Sequence, residues 1–244
     1  ASLYKRGMKF VHVPTSLMGM TDAAIGGKTA VDFNNIKNAI GLFSNPKAIF
    51  VDPVFLNSLP KREIANGWAE VVKHALIADN TIWDELPADA TAVPDFDLLL
   101  RSIAVKVLVV QEDFEEKGRR KILNFGHTVG HAIETIHLES RNVLLHGEAV
   151  VWGMLIETEI AWQLKLILES EARQIQEKLL SFFNPEPLKS LNPNQLLHFL
   201  LQDKKNERDT ILFSLINDIG GCTWNCEVQQ DVILSAVQKF IPVQ

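Results

Sequence analysis

The sequence predicts an α/β segment at the front of the chain, followed by a mostly α-helical body. Two short runs in the front segment, residues 9–13 and 48–51, are rich in β-branched and aromatic residues and are closed by Pro14 and Pro53, which is typical of buried strands. From Pro60 onwards, apolar residues recur with the helical period of about 3.6 residues. The change of pattern places the boundary between Pro53 and Pro60.

Each later element follows from its own pattern. The segment 15–38 is rich in glycine, aspartate, threonine and asparagine, so it is predicted to form loops around short elements. Gly220 and Gly221 predict the tight turn of a hairpin near the end of the chain. The predicted helices span residues 61–77, 95–114, 122–136, 148–166, 169–183 and 231–240, and the hairpin strands span 210–215 and 223–228.

Composition limits the classes of function. The chain has 244 residues, enough for one or two domains, and a formal net charge of −6, which argues against a general nucleic-acid binder. No apolar run approaches the roughly 18 residues of a membrane span, and no signal-peptide pattern is found, so a cytoplasmic protein is expected. Cys222 and Cys226 are too few for a disulfide framework, and free thiols are favoured over a metal-binding CxxxC pair.

Histidines concentrate in one short part of the sequence. Four of the seven lie between His127 and His146. His127 and His131 are four residues apart, so a helix places both imidazoles on one face, and His146 opens the next predicted helix. Such a set suits a divalent metal with a third ligand from elsewhere. Surface histidines are the alternative, and Thr128 excludes the HExxH protease motif, which needs glutamate at that position.

Glu70 is the candidate third ligand. It lies three residues before Lys73 in an otherwise apolar helical stretch, so the two side chains share one face. An exposed ion pair is the alternative. However, burying two charges among apolar neighbours is costly unless they bind a partner. The pattern therefore favours a binding site that includes Glu70 and Lys73.

Cationic and polar residues form several further clusters. The segment from Asp22 to Thr29 contains a Gly-Gly turn that presents Lys28, but it lacks the first glycine of a phosphate-binding P-loop. Glycine turns allow an anion to approach closely. Solvated surface is the alternative for each cluster alone. Together they predict cations around a metal site, suited to a phosphorylated and carboxylated ligand; the other members are Lys37, Asn38, Lys106, Arg119, Arg120, Asn124, Lys204 and Lys205.

In their order and spacing these segments resemble the 3-dehydroquinate synthase family, from about Tyr4 to Asn206. Each string is weak alone, and the combination is specific. The matching strings are Arg6-Gly7, Val13-Pro-Thr-Ser16, DAAIGGKT from Asp22 to Thr29, Lys37-Asn-Ala-Ile-Gly41, Leu59-Pro-Lys-Arg-Glu63, Ala69-Glu-Val-Val-Lys73, Leu123-Asn-Phe-Gly-His-Thr-Val-Gly-His131 and His146-Gly-Glu148.

The resemblance implies a role for each matching position. It implies zinc, or cobalt in its place, held by Glu70, His127 and His146, with His131 in the active site but outside the ligand set. Arg6 matches an arginine that reaches across a dimer interface. The positions that match substrate contacts are Asp22, Lys28, Asn38, Lys73, Lys106, Arg120, Asn124, His131 and one of Lys204 and Lys205. The positions that match NAD contacts are Thr15, Ser16, Lys28, Lys37, Phe55, Leu56, Asn57 and Ser58.

The implied enzyme is an NAD- and metal-dependent, phosphate-eliminating lyase of the shikimate pathway of aromatic amino acid biosynthesis. It converts 3-deoxy-D-arabino-heptulosonate 7-phosphate into 3-dehydroquinate and phosphate. In the implied reaction, NAD takes a hydride from a hydroxyl-bearing carbon that the metal polarises, phosphate leaves, the hydride returns, and an aldol step closes the carbocycle. A cytoplasmic homodimer that acts on a small sugar phosphate, without nucleic-acid or membrane partners, is expected.

The resemblance also implies a domain division. Residues 1–58 match the C-terminal remnant of an NAD-binding α/β domain, and residues 59–244 match a mainly helical metal- and substrate-binding domain. The glycine-rich dinucleotide loop of the family is not found in these 244 residues, so this polypeptide alone is expected to bind zinc without turning over substrate. Asp32 stands where the family usually has asparagine, which we interpret as a tolerated difference.

Three alternatives stay open at the level of the sequence. Sugar-phosphate cyclases of the inosose and valiolone types belong to the same superfamily, although Asn124, His131 and the lysine pair at 204–205 favour the dehydroquinate branch. Glycerol dehydrogenases share the architecture but lack this density of anion-binding lysines. A non-catalytic metal-binding remnant would keep the ligands and lack turnover.

Overall fold

The computed structural model describes residues 1–33, 36–137, 143–188, 191–202 and 210–241, and it describes only the main chain at residues 32–33, 36–39 and 202. Helices dominate these ranges, and two antiparallel hairpins accompany them. Within the described ranges no helix is both long and apolar enough to cross a membrane. In chain order the elements are β1 (Lys28–Phe33), β2 (Ile36–Phe43), α1 (Lys61–Ala78), α2 (Asn80–Asp84), α3 (Phe96–Glu112), α4 (His127–His137), α5 (His146–Gln163), α6 (Glu169–Phe183), α7 (Pro193–Gln202), β3 (Thr210–Asp218), β4 (Gly221–Gln229) and α8 (Gln230–Gln238).

Helix α1 lies in the centre of the core. It begins directly after Pro60, because proline has no amide hydrogen to leave unpaired at a helix start. Residues 66–77 are buried without a break, since α5 and α3 both pack against α1. The helix ends before Asp79, whose side chain accepts a hydrogen bond from the amide of Thr81 at 3.0 Å and so starts α2. The predicted helix at 61–77 is confirmed.

Helix α5 is buried on every side. Residues 149–161 are all buried, because α1, α4 and α6 surround them. A helix that is apolar all round belongs to the interior of a domain. Its two interior glutamates, Glu157 and Glu159, therefore need hydrogen-bonding partners inside the protein.

The main chains of α4 and α5 lie in direct contact. A Cβ atom added to Gly153 would lie 1.8 Å from the carbonyl oxygen of Gly126. Gly126 has a φ of +78°, a conformation that favours glycine and that separates the 3₁₀ turn Arg119–Asn124 from α4. The predicted single helix at 122–136 is therefore wrong at its start, because α4 begins only at His127.

The front of the chain differs from the prediction in two places. The segment 15–38, predicted as loops around short elements, contains β1 and the start of β2, which form a hairpin that the sequence did not predict and pair antiparallel with Lys28 opposite Phe43. The predicted strands at 9–13 and 48–51 form a single parallel bridge between His12 and Ile49, in which the amide of Phe50 donates to the carbonyl of His12 at 2.9 Å. The two segments thus lie side by side, as expected, but pair over a shorter length than two full strands.

The C-terminal hairpin closes the core next to α1. Its turn is at Ile219 and Gly220, one residue earlier than predicted, and Gly220 has a φ of +91°. The amide of Gly220 donates to the carbonyl of Leu76 at 2.9 Å, which ties the hairpin to α1. Cys222 and Cys226 on β4 are both free, and burial raises the pKa of the Cys222 thiol above its usual value.

Candidate metal and anion site

Three side chains from three helices meet at one point of the core. Glu70 comes from the middle of α1, His127 begins α4 and His146 begins α5. The Oε1 atom of Glu70 lies 3.3 Å from Nε2 of His127 and 3.8 Å from Nε2 of His146. The three residues that the family resemblance suggested as ligands are therefore brought together.

The second nitrogen of each histidine contacts another oxygen. Nδ1 of His127 lies 3.2 Å from the carbonyl oxygen of Phe125, and Nδ1 of His146 lies 3.4 Å from Oε2 of Glu134. A metal-binding histidine commonly donates its other ring N–H to a carbonyl or carboxylate, which fixes the orientation of the ring. Both imidazoles therefore have their Nε2 atoms available at the shared point.

One carboxylate oxygen of Glu70 lacks a hydrogen bond, which indicates whether a metal ion fits this site. Glu70 is fully buried, and its Oε2 accepts a hydrogen bond from Nζ of Lys73. Its Oε1 has no hydrogen-bond donor among the described residues. A buried carboxylate oxygen without a partner is costly, and a cation would satisfy it. One carboxylate oxygen and two imidazole nitrogens are also typical ligands of zinc and cobalt, so the residues fit such an ion.

His131 lies against the two other histidines. Its ring centroid is 5.2 Å from that of His127 and 5.6 Å from that of His146, and its side chain is exposed. The three histidines can offer nitrogens that lie within 4.8 Å of one another, so a three-histidine ligand set is a geometric alternative. We favour Glu70 as the third ligand because its Oε1 is both buried and unsatisfied.

The charges around this point perturb one another. Burial opposes ionisation of Glu70, yet the ammonium of Lys73 and the His127 ring hold its pKa well below the usual value. Burial also lowers the pKa of His127, which lies close to Lys73. At His146 burial acts in the same sense, but Glu134 and Glu70 outweigh it and raise the pKa to about 9.

Two buried lysines adjoin the metal-ligand candidates on the side of Asp22. Lys106 donates to Oδ1 of Asp22, and Nζ of Lys73 lies 4.0 Å from the same oxygen. The Lys73 side chain is 1% exposed and that of Lys106 is 9% exposed. Burial lowers the pKa of Lys106, although the Asp22 carboxylate partly offsets that effect. Each ammonium group already faces a carboxylate, Glu70 for Lys73 and Asp22 for Lys106, and water screens these four charges only weakly.

His74 is a buried neighbour that the sequence did not single out. Its Nδ1 lies 2.9 Å from the hydroxyl of Ser102, and its Nε2 has no partner among the described residues. Burial and the charge of Lys73 lower the pKa of His74 to about 3. The ring is therefore neutral at physiological pH.

The Gly-Gly turn is held by Arg120. Its guanidinium donates to the carbonyl oxygens of Gly26 at 2.8 Å and of Phe114 at 2.5 Å. A Cβ atom on Gly26 would lie 2.4 Å from this guanidinium, so only glycine leaves the space. Next to the turn, Lys28 pairs with Glu116, which also accepts from Nδ2 of Asn124 at 2.8 Å.

The remaining predicted positions lie on the front segment or outside the description. Ser16 accepts from the amide of Gly19 at 3.2 Å, and Thr15 and Arg6 are exposed. Within the 3₁₀ turn Pro53–Ser58, Leu56 is buried, whereas Phe55, Asn57 and Ser58 are exposed. The side chains of Lys37 and Asn38, and all of Lys204 and Lys205, lie outside the described residues.

Comparison with known proteins assigns the family. The sequence profile of the 3-dehydroquinate synthase N-terminal domain matches residues 1–66, and that of the C-terminal domain matches residues 67–206. The 3-dehydroquinate synthase of Ruminiclostridium cellulolyticum is 37% identical over 243 residues, which are 97% of this chain and 67% of that protein. The chain belongs to the 3-dehydroquinate synthase family. The synthase of Wolinella succinogenes is 38% identical over 98% of this chain and 69% of its own length.

Solved cyclases share the fold of this family member. A 2-deoxy-scyllo-inosose synthase complexed with carbaglucose-6-phosphate, NAD⁺ and Co²⁺ superimposes with a TM-score of 0.86 at 28% identity, over 99% of this chain and 69% of its own. A valiolone synthase from Streptomyces hygroscopicus with NAD⁺ and Zn²⁺ bound has a TM-score of 0.82 at 29% identity, over 98% and 68%. The predicted dehydroquinate synthase-like fold is confirmed at the level of sugar-phosphate cyclases. The division at residues 58 and 59 stays a prediction.

Two glutamates near the histidines were missed by the sequence analysis. Glu134 contacts His146 from α4, as described above, and Glu157 of α5 accepts from the amides of Gly126 at 2.6 Å and Val129 at 3.0 Å. Burial raises the pKa of Glu157 to about 8, although these amides favour its ionised form. A signal for Glu157 was present, because it lies inside an apolar helical run, as Glu70 does.

Proposed function

We propose that this chain carries the metal- and substrate-binding residues of a 3-dehydroquinate synthase, a phosphate-eliminating lyase that converts 3-deoxy-D-arabino-heptulosonate 7-phosphate into 3-dehydroquinate and phosphate. The observation that supports it best is the meeting of Glu70 Oε1 with Nε2 of His127 and of His146, at 3.3 and 3.8 Å, beside buried lysines. The proposed metal is zinc or cobalt. When bound, it supplies a Lewis acid that polarises a substrate hydroxyl.

The protein's own residues would orient and charge-balance the substrate. Lys73 and Lys106 are buried beside the ligand candidates, so they are suited to hold the carboxylate or phosphate of the substrate. Asp22 keeps both ammonium groups in place. The exposed ring of His131 adjoins the ligand candidates, where a ring nitrogen can exchange a proton with the substrate. Holding the reacting groups in this way lowers the entropic part of the barrier.

A nicotinamide cofactor and a dimer complete the proposal. When bound, NAD would supply reversible hydride transfer at the substrate. Two solved cyclases of the same fold carry NAD⁺, which supports its use here. The proposed contacts are Thr15, Ser16, Lys28, Lys37, Phe55, Leu56, Asn57 and Ser58. Arg6 is proposed to reach the partner copy in a cytoplasmic homodimer.

The substrate class separates this proposal from the inosose and valiolone cyclases. Identity to the 3-dehydroquinate synthases is 37–38%, compared with 28–29% to the solved cyclases of those types. The higher identity favours the seven-carbon keto-acid phosphate as the substrate. A metal-binding remnant without activity would share the ligands, so activity decides between these functions.

Phosphate release tests the proposal. The protein that carries this chain is supplied with NAD and Co²⁺, and with either 3-deoxy-D-arabino-heptulosonate 7-phosphate or glucose 6-phosphate, whose carbocyclic analogue is bound in the solved inosose synthase. We expect phosphate and 3-dehydroquinate from the first compound alone. Faster reaction of glucose 6-phosphate would support the inosose function. Stoichiometric Co²⁺ binding without turnover of either compound would contradict the proposed enzyme and leave a metal-binding protein.

A further inference from the structure

Helix α5 contacts α4 through two functional groups on one face. Glu157 follows His146 by eleven residues, which is about three turns, so both side chains point from the same side of α5. Gly153 lies between them on this face, where a Cβ atom would be 1.8 Å from the carbonyl oxygen of Gly126. The two helices therefore meet closely along the stretch that separates the histidine from the glutamate.

Glu157 caps the amino terminus of α4 from outside that helix. Its Oε2 accepts from the amide of Gly126 at 2.6 Å, and its Oε1 accepts from the amide of Val129 at 3.0 Å. The first amides of a helix have no partner within it, so another group must accept their hydrogen bonds. Gly126 has no side chain to do so, and the carboxyl group, fully buried, arrives from α5 instead.

The capped amides lie on both sides of His127. Gly126 precedes it and Val129 is two residues beyond it, so Glu157 fixes the main chain before and after the histidine. The ring of His127 also depends on this main chain, because its Nδ1 contacts the carbonyl of Phe125 at 3.2 Å. A change in the cap would therefore move Nε2 relative to Oε1 of Glu70.

We infer that Glu157 is a positioning residue, which holds the histidine of α4 in register with the histidine on its own helix. The inference rests on the proposed metal site. A carboxyl group suits the task because each of its two oxygens can accept from an amide, and these amide donors favour its ionised form against the effect of burial. Glutamine has nearly the same shape but only one acceptor oxygen. Its side-chain NH₂ group would therefore lie against the main-chain N–H of Gly126 or Val129.

The test is metal affinity in Glu157→Gln, with Glu159→Gln as the matched control. Glu159 is also a buried glutamate of α5, but it contacts Gln176 and Lys239 on the side away from α4. Cobalt binding is followed by calorimetry and by the visible spectrum of the bound ion. We expect Glu157→Gln to bind Co²⁺ about tenfold more weakly, with an altered spectrum, because changes in groups that support metal ligands have effects of this size. Glu159→Gln should match the wild type in both measurements.

The outcomes separate the inference from the proposed function. If Glu157→Gln binds Co²⁺ like the wild type while its thermal stability falls, the glutamate is only structural and the inference is wrong. If the wild type binds no Co²⁺, the proposed metal site itself is wrong. If Glu157→Gln does not fold, Glu157→Asp is compared with Glu159→Asp as its control. In Glu157→Asp we expect a smaller loss of Co²⁺ affinity. Equal affinity in that pair would contradict the inference.

Discussion

Glu70 and Glu159 are buried glutamates of the same core, and each is paired with a lysine. They differ in whether both carboxylate oxygens have a hydrogen-bond donor. Oε2 of Glu159 accepts from Lys239 at 2.6 Å and from Gln176 at 3.0 Å, and its Oε1 accepts from Gln163 at 3.4 Å. Glu70 gives one oxygen to Lys73, while the other faces two imidazoles and has no hydrogen-bond donor among the described residues.

Complete hydrogen bonding distinguishes an ion pair that anchors the fold from a site that binds a ligand. Burial of the carboxylate is the same in both places, and so is the presence of a lysine. The lysine at Glu159 is 46% exposed and closes a complete network that attaches α8 to α5 and α6. The lysine at Glu70 is 1% exposed, and the network around it is incomplete on the side of the histidines. An incomplete buried network indicates a missing ligand.

The largest expected effect is loss of the metal in Glu70→Gln. The amide keeps the shape of the side chain but is a poor metal ligand, so Co²⁺ affinity should fall by more than about 100-fold, beyond the range seen for supporting residues. Glu159→Gln should retain one ion per chain. Metal analysis after gel filtration measures both variants. Stoichiometric cobalt in Glu70→Gln would instead favour the three-histidine ligand set that includes His131.

The next effect is a pH dependence that arises from His74. Its pKa is about 3 in the folded protein, below the usual 6.5, so below about pH 6.5 the unfolded chain takes up a proton that the folded chain does not. Stability is thus fully present above the unfolded pKa and is lost as pH falls towards 3. Between about pH 7 and 4.5 the wild type should lose about 3 kcal/mol more stability than His74→Gln.

Urea denaturation of the metal-free proteins at the two pH values measures this difference. The charged groups around His74 are present in both proteins, so their contributions cancel in the comparison; they are Asp22, Glu70, Lys73 and Lys106. If both proteins lose the same stability on acidification, the ring is not held neutral by its surroundings.

A smaller effect is expected when the complete network is disturbed. Glu159→Gln removes the charge opposite Lys239, so the free energy of unfolding should fall by about 1–2 kcal/mol. We expect a value near the lower limit, because the Lys239 side chain is half exposed to water. A double-mutant cycle with Lys239→Met measures the coupling. Additive effects of the two substitutions would show that this pair does not anchor α8.

A comparable effect is expected at Glu134, which supports His146. Glu134→Gln weakens the acceptor for Nδ1, which lies 3.4 Å away, so Co²⁺ affinity should fall about tenfold. Glu169→Gln, on the exposed start of α6, is the control and should bind Co²⁺ like the wild type. Equal affinity in both variants would mean that the ring of His146 is held by packing alone.

Elements with a clear apolar period were predictable. The helices α1, α3 and α6 begin and end within a few residues of their predictions, because one apolar face repeats along each sequence. The hairpin β1–β2 was missed, since its glycines, lysines and asparagines hide the alternation of a strand. The break before α4 was missed because a positive φ at Gly126 depends on packing against α5.

The site was predictable only in part, for a similar physical reason. The cluster of histidines and the charged pair at Glu70 and Lys73 were visible as polar residues in unusual places. The choice of ligands came from the family resemblance. Spacing alone favoured His127 and His131 as two of the ligands. Glu134 looked like an ordinary helical glutamate, and its contact with His146 depends on how α4 packs against α5.

The absence of a side chain at Gly153 sets the distance between the helices that carry His127 and His146. Since nothing larger than a hydrogen atom fits against the carbonyl of Gly126, the two histidine-bearing helices share one fixed separation. A methyl group at that position would push both imidazoles apart at once, although it touches neither. Alanine at this position should therefore weaken Co²⁺ binding at the proposed site, although residue 153 contacts none of the ligand candidates.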